Sequence, residues 1–504
     1  APAHYGLAGI WSYQGNQEAT VACLHRALQL KPDYVHAHSS LLSLLQYRDG
    51  VTLAELREAH AEFQRRQAAG FRGAWDAREG TPFPSPLSLA PDPSATRAEG
   101  GVEKATGPIP NQTCMEEGAR REAAVEFLDP QRRLRLGFVS PDFWRHPVGY
   151  FLIRVLENLD RERFEIVCYS DRAVPDAMTA RFQRAAARWR ETRRMGDEPL
   201  AEQIRADRID ILFDLAGHTA ENRLLVFARK PAPIQITWAG YVGTTGLEAM
   251  DYLLADRWEV PPEAEPYYAE RVLRMPDGYV CYDPPAYAPR VGPLPAGGTG
   301  AHPGVTFGSF NHPLKFTPRV VACWARILHR LPQARLVLKY RGLDDPDAQA
   351  RLWKLFAGEG IAARRVELSG GCSHDEFLGW YNRIDIALDP FPYGGGLTTC
   401  EALWMGVPVV TCPGETFASR HSLSHLSNVG LKETIARDLD EYVALAVSLA
   451  EDLPRLAALR AGLRERMARS PLCNGKRFAA NLAELLRRVW REWVESRARG
   501  AVQP

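Results

Sequence analysis

The sequence carries almost no imbalance of charge: 62 lysines and arginines stand against 61 aspartates and glutamates, a net of +1. A dedicated nucleic-acid binder is thereby excluded, because its phosphate-facing surface is strongly basic. Long apolar runs are missing too. None approaches the roughly 18 consecutive residues that read as a membrane helix, so no membrane partner is expected. The nine cysteines form no C-x-x-C and no cluster with histidines. That argues against zinc ribbons and disulfide frameworks and predicts reduced, mostly buried thiols in a cytoplasmic protein. The first residues, Ala1-Pro-Ala-His-Tyr5, lack the basic-then-apolar order of a secretory leader. No Asp-x-Asp in a strand context offers a bridge between a metal and a diphosphate. What remains is ordinary: 504 residues, 45% hydrophobic and 24% charged, predict a globular chain of several domains.

Residues 1–77 read as helical. Leu7, Ala8, Trp11, Leu24, Ala27, Leu28 and Pro32 fall at the spacings of a helix-turn-helix repeat, in which small residues let two helices cross and the proline ends the second. The segment resembles one tetratricopeptide repeat, with Thr20 in place of the usual central alanine. Tyr34–Tyr47 and Leu53–Arg66 continue as amphipathic helices. Residues 78–130 turn rich in proline, glycine and charge and predict a loop insertion and linker. From residue 131 to 290 strands and helices alternate, with strands expected at 134–139, 164–169, 209–215, 234–238 and 252–255. A second alternation spans 303–475, with helices at 318–331, 347–359, 374–382 and 398–406. Residues 284–304 form the linker between these units. Two such units predict two Rossmann-like lobes with a ligand between them. The last segment, 476–504, is expected to be a helix packing across both lobes through Phe478, Leu482, Leu485, Leu486, Val489, Trp490 and Trp493.

The densest chemistry lies in Asp389-Pro-Phe-Pro-Tyr-Gly-Gly-Gly-Leu-Thr-Thr-Cys-Glu401. An apolar run ends in prolines, glycines follow, and two threonines open a helix. Free N–H groups and the helix dipole at such a point attract phosphate, and glycine lets backbone approach a ligand closely. Gly395, Gly396, Thr398 and Thr399 are therefore candidates for holding a nucleoside diphosphate, and Glu401 one for accepting from ribose hydroxyls. The stretch matches neither G-x-x-x-x-G-K-[ST] nor G-x-G-x-x-G; an ordinary strand-to-helix turn is the alternative.

Longer motifs then identify a resemblance. Gly137-Phe-Val-Ser-Pro-Asp-Phe-Trp-Arg-His-Pro147, Asp214-Leu-Ala-Gly-His-Thr219, Pro231 through Gly246, Phe310-Asn-His-Pro-Leu-Lys315, Pro413 through Arg420 and Ser470-Pro-Leu-Cys-Asn474 are similar, in order and spacing, to the catalytic region of protein O-linked N-acetylglucosamine transferases and their SPINDLY-type relatives. The resemblance covers about residues 133–495. It implies an α/β catalytic region of GT-B type preceded by helical repeats. It also implies inverting transfer of N-acetylglucosamine from UDP-GlcNAc to serine or threonine of a protein, without metal or other cofactor.

The resemblance assigns Lys315 to the donor phosphates, where a cation assists the departing diphosphate. His146 becomes the candidate general base, with Asp142 able to orient it, and His218 a second. His374 and Phe377 match the nucleotide-base loop, and Gly243 and Thr244 the loop lining the sugar. Leu397 stands where the family often carries a threonine or histidine, and Glu401 where it carries aspartate. Arg420 is able to meet phosphate; Glu415 reads as structural. Expected partners are a sugar-nucleotide donor and protein acceptors presented by the repeats. Two alternatives stay open: a SPINDLY-like O-fucosyltransferase using GDP-fucose, and a degenerate helical-repeat scaffold.

Overall fold

The computed structural model describes residues 1–72, 129–297 and 304–500. The expected insertion therefore lies outside the described residues except at 129 and 130. Four helices open the chain: α1 (Pro2–Tyr13), α2 (Gln17–Leu30), α3 (Val35–Leu45) and α4 (Leu53–Phe63). Local capping sets their ends. Asn16 accepts from the Ala19 N–H to start α2, and Thr52 and Glu55 form a reciprocal capping box on α4. Ala8, Leu24, Ala27, Ala37 and Leu44 share a small core with Leu314 of the second lobe, so the repeat region is already docked at that level.

The first lobe runs β1 (Leu134–Ser140), α5 (Pro147–Asn158), β2 (Phe164–Ser170), α6 (Ala177–Ala185), β3 (Arg188–Glu191), α7 (Asp197–Ala206), β4 (Ile211–Asp214), α8 (Leu224–Ala228), β5 (Ile234–Thr237), β6 (Tyr252–Asp256) and β7 (Arg271–Met275). Its seven strands pair in parallel in the order β3-β2-β1-β4-β5-β6-β7. The central strands are buried on both faces and therefore read as apolar runs. The two edge strands escape the expectation for the same reason inverted. Arg188-Trp-Arg-Glu191 and Arg271-Val-Leu-Arg-Met275 intersperse arginine with apolar residues and are only partly covered.

The second lobe runs β8 (Thr306–Ser309), α9 (Pro318–Arg330), β9 (Arg335–Lys339), α10 (Pro346–Gly358), β10 (Val366–Ser369), α11 (His374–Trp380), β11 (Ile386–Leu388), α12 (Leu397–Trp404), β12 (Val409–Val410), α13 (His421–Val429), α14 (Leu439–Glu451) and α15 (Leu453–Arg469). Its five parallel strands follow the order β10-β9-β8-β11-β12. Two Rossmann-like lobes make this a GT-B arrangement. In each sheet the strand order reverses once, between β1 and β4 and between β8 and β11. Ligands of open α/β sheets bind beyond the carboxyl ends of the strands at such reversals. The loops after β1, β4, β8 and β11 carry His146, His218, Lys315 and the glycine stretch.

The final helix, α16 (Gly475–Gly500), corrects one expectation. It leaves the second lobe but runs along the first rather than across both. Phe478 stacks on Trp238 at 5.7 Å, Leu482, Leu486, Val489 and Trp490 join the core that holds β1 and α5, and Arg487 donates to the carbonyls of Arg132 and Arg163. Its apolar stripe matches the face of α5 that the first sheet leaves uncovered.

Candidate active site

Beyond β11 the chain folds back on itself over a buried carboxylate. Asp389 Oδ1 accepts from the Gly395 N–H at 2.6 Å and Oδ2 from Thr411 Oγ1 at 2.7 Å. Gly395 must be glycine: a Cβ there would lie 2.5 Å from Thr399 Oγ1, 2.8 Å from Thr398 Oγ1 and 3.1 Å from Asp389 Oδ1. Gly396 then caps α12 without a side-chain hydrogen bond. The first N–H groups of the helix remain for an anion.

Lys315 arrives from the loop after β8. It is 9% exposed. Its Nζ donates to the Gly394 carbonyl at 2.6 Å and to Asn311 Oδ1 at 3.2 Å, and sits 4.2 Å from the centre of the Tyr393 ring. Thr398 Oγ1 donates to the same Asn311 oxygen at 3.1 Å. Lysine, threonine and glycine loop thus form one connected unit. Burial pulls the Lys315 ammonium down to about 8, with the Asp389 carboxylate acting the other way. Burial also raises Asp389.

Glu401, 2% exposed, meets His374 Nε2 at 2.7 Å. His374 Nδ1 lies 2.7 Å from Tyr287 OH and 3.3 Å from Tyr150 OH, so the base-side loop is tied to α5 of the other lobe. Burial raises the Glu401 carboxyl and His374 opposes it. Half-buried Phe377 packs on Phe310 and Tyr381 and lies nearly parallel to the His374 ring.

His146 caps the start of α5, one helical turn before Tyr150. Its Nδ1 lies 3.5 Å from Asp142 Oδ1, which also accepts from the Trp144 indole at 3.3 Å. Trp144 itself stacks on the His146 ring and lies under the Arg172 guanidinium. The imidazole is a third exposed, and burial lowers its pKa while Asp142 raises it. Nδ1 also accepts from the Val148 N–H at 3.4 Å, so Nε2 is open as a base only in the tautomer whose Nδ1–H turns to Asp142.

His218 does not share this exposure. It is 1% exposed, with Nδ1 at 3.1 Å from Ser39 Oγ of α3 and Nε2 at 2.8 Å from the Thr245 carbonyl. His60 and Phe63 of α4 pack edge-on against it. Burial holds its pKa well below the ordinary value. The structure makes His218 a rivet between repeats and first lobe, with both ring nitrogens engaged, rather than a second base. Thr244 is likewise occupied, donating to buried Glu270 at 2.6 Å. A Cβ on Gly246 would strike the His60 carbonyl at 2.4 Å. The Gly243–Gly246 loop is thus braced against α4, and Gly243 lies beside Gln46 of the repeat region. Arg420 turns from phosphate to the carbonyls of Trp258 and Gly414, and Glu415 is exposed.

Beyond Tyr150 and Tyr287, which hold His374, three participants were not singled out from sequence. Asn311 lies inside a quoted motif and could have been read as the partner of Lys315. Tyr393 stacks at 4.6 Å on Tyr47 of the repeat region, and no local pattern announces that contact. The third is His421, taken up below.

Lobes facing each other, with a buried cation over a glycine-threonine helix start, define a glycosyltransferase of the GT-B class. The sequence profile of glycosyl transferase family 41 matches residues 118–288 and 301–482; the chain belongs to that family. Among curated relatives, the probable UDP-N-acetylglucosamine–peptide N-acetylglucosaminyltransferase SPINDLY of Petunia hybrida is 41% identical over 373 residues, 73% of this chain and 40% of the relative. Its counterpart named SEC in Arabidopsis thaliana is 31% identical over 367 residues, 71% of this chain and 37% of the relative. The chain thus spans about 40% of the length of the first of these curated relatives. A mutant O-GlcNAc transferase of Thermobaculum terrenum superimposes with a TM-score of 0.82 at 36% identity, covering 98% of this chain and 84% of that one. Among the described residues no helix is long and apolar enough to cross a membrane.

The Lys315 environment fixes a pH response. Burial brings the Lys315 ammonium down to about 8; a diphosphate bound beside it would keep it charged. Such binding would take up a proton above pH 8, and affinity for a nucleoside diphosphate is expected to fall as pH rises through that value, by up to about tenfold per unit. Folding stability of the donor-free chain moves the other way: above pH 8 the unfolded lysine binds more protons than the folded one, so this group's contribution rises with pH. Calorimetric titration between pH 7 and 10 in buffers of different ionisation heat measures the uptake. Lys315→Arg, which does not titrate in this range, is expected to flatten it.

Proposed function

We propose that this chain transfers N-acetylglucosamine from UDP-GlcNAc to serine or threonine hydroxyls of proteins, with inversion and without a metal. The observation that carries the reading is Lys315, buried against Gly394 and Tyr393 at the start of α12. An inverting transfer needs three things: stabilisation of the leaving diphosphate, a path for the acceptor proton, and exclusion of water. Lys315 and the N–H groups of α12 neutralise the diphosphate. His146, in the tautomer whose Nδ1–H faces Asp142, presents Nε2 to take the acceptor proton while the acceptor oxygen attacks the anomeric carbon. His374 and Glu401 hold the nucleoside end. The names of the Petunia and Arabidopsis relatives support this donor and this kind of acceptor.

The acceptor enters past the repeats. Gln17 donates to the Leu314 carbonyl at 2.9 Å and Ser43 to that of His218 at 2.7 Å, so α2 and α3 touch both lobes beside the cleft. Incubating the protein in chelator with a peptide library and either UDP-GlcNAc or GDP-fucose, followed by mass spectrometry, tests the reading. The expected product carries one N-acetylhexosamine on serine or threonine. Fucose on the peptides would replace the donor assignment, and no product with either donor would favour a scaffold.

A further inference from the structure

His421 opens α13 on the far side of the glycine loop and is 3% exposed. Its Nδ1 lies 2.9 Å from Glu259 Oε1 and 3.1 Å from Tyr279 OH, both in the first lobe. Its Nε2 has no hydrogen-bond partner among the described residues, and the ring edge bearing it faces the cap of α12: the adjacent Cδ2 lies 3.9 Å from where a Gly396 side chain would begin. Tyr393, the ring beneath Lys315, meets the imidazole edge-on at 6.1 Å. A buried imidazole is thus pinned on one nitrogen by the opposite lobe and directed by the other at the helix start.

From this geometry we propose that His421 is a further donor to the leaving diphosphate, contributing Nε2–H, and that Glu259 is the positioning residue that holds it there across the lobe interface. The proposal rests on the donor reading above. Its chemistry is self-consistent. Glu259 is wholly buried and its Oε2 has no partner. Burial and Asp256 lift this carboxyl well above its usual range, while burial keeps His421 down at about 3. The pair is therefore net neutral with one shared proton. Whether that proton sits on Glu259 Oε1 or on Nδ1, Nε2 carries its own hydrogen. A dianion arriving at Gly396 favours the imidazolium–carboxylate form and strengthens the bond. The loop's lost polar position at Leu397 is thereby supplied from a different helix.

The test is calorimetric titration of the full chain with UDP and with UMP, using GDP and GMP if guanine is preferred. His421→Phe is expected to lose roughly 10- to 100-fold in affinity for the diphosphate with monophosphate affinity unchanged. His421→Gln, which keeps an N–H donor, is expected to recover most of it, and Glu259→Ala to reproduce the loss in part with the same diphosphate selectivity. Equal losses for both nucleotides, or no loss, overturn the proposal. Should His421→Phe fail to fold, ¹⁵N-histidine spectra of the wild type decide: UDP should move the Nε2 resonance that His421→Gln removes, and an unmoved resonance overturns the proposal. A wild type that binds neither diphosphate instead overturns the donor reading itself.

Discussion

Lys315→Met is expected to lower kcat for sugar transfer by roughly 10²- to 10³-fold, with a smaller loss in donor affinity. Methionine fills the same buried volume, so the fold persists and the change isolates the ammonium. The split between kcat and affinity follows from when the charge matters. On the proposed donor reading, the ground-state diphosphate would share its charge with the sugar bond and with the N–H groups of α12. As that bond breaks, the departing oxygen gains a full charge, and the nearest cation is one that burial has stripped of competing water. Steady-state kinetics with UDP-GlcNAc and a peptide acceptor, alongside UDP titration, measure both quantities. A variant whose kcat stays within a few fold of wild type would move the stabilisation of the leaving group elsewhere.

Gly395→Ala should cost nearly as much by a different route. Its Cβ would press on two threonine hydroxyls and the Asp389 carboxylate at once. None of these is the far end of a flexible chain, because Thr399 is paired with Ser422 at 2.7 Å and Asp389 with Thr411. The loop must shift, and the Lys315–Gly394 contact shifts with it. Donor affinity is expected to fall by about 100-fold, in line with the cost of displacing aligned phosphate donors, while the thermal midpoint changes by only a few degrees.

Much of this was legible in the sequence because it is written locally. The phosphate loop declares itself through consecutive glycines, threonines and a preceding apolar strand, all within a dozen residues. The central strands announce their two-sided burial through largely apolar runs. What escaped was set by residues distant along the chain. The edge strands β3 and β7 look polar because their outer positions carry arginine. His218 looks catalytic in a Gly-His-Thr motif, and only the approach of Ser39, His60 and Phe63, some 155 to 180 residues earlier, turns it into a packing group. His421 looks like one more helix residue until Glu259 of the other lobe is beside it. Sequence spacing reports the chemistry of a loop; it does not report which loops meet.

The path of α16 has a consequence for how the molecule is made. The first lobe is synthesised well before the second, yet its core is closed by Leu482, Leu486, Val489 and Trp490, and Arg487 caps the carbonyls of Arg132 and Arg163 at the start of β1 and β2. Domains emerging from the ribosome ordinarily fold in order. Here the earlier lobe must wait, with one apolar face of α5 open, until the chain has passed through the entire second lobe and returned. Completion of the two halves is thereby coupled in time as well as in space, and a nascent chain halted inside the second lobe would leave the first one unfinished.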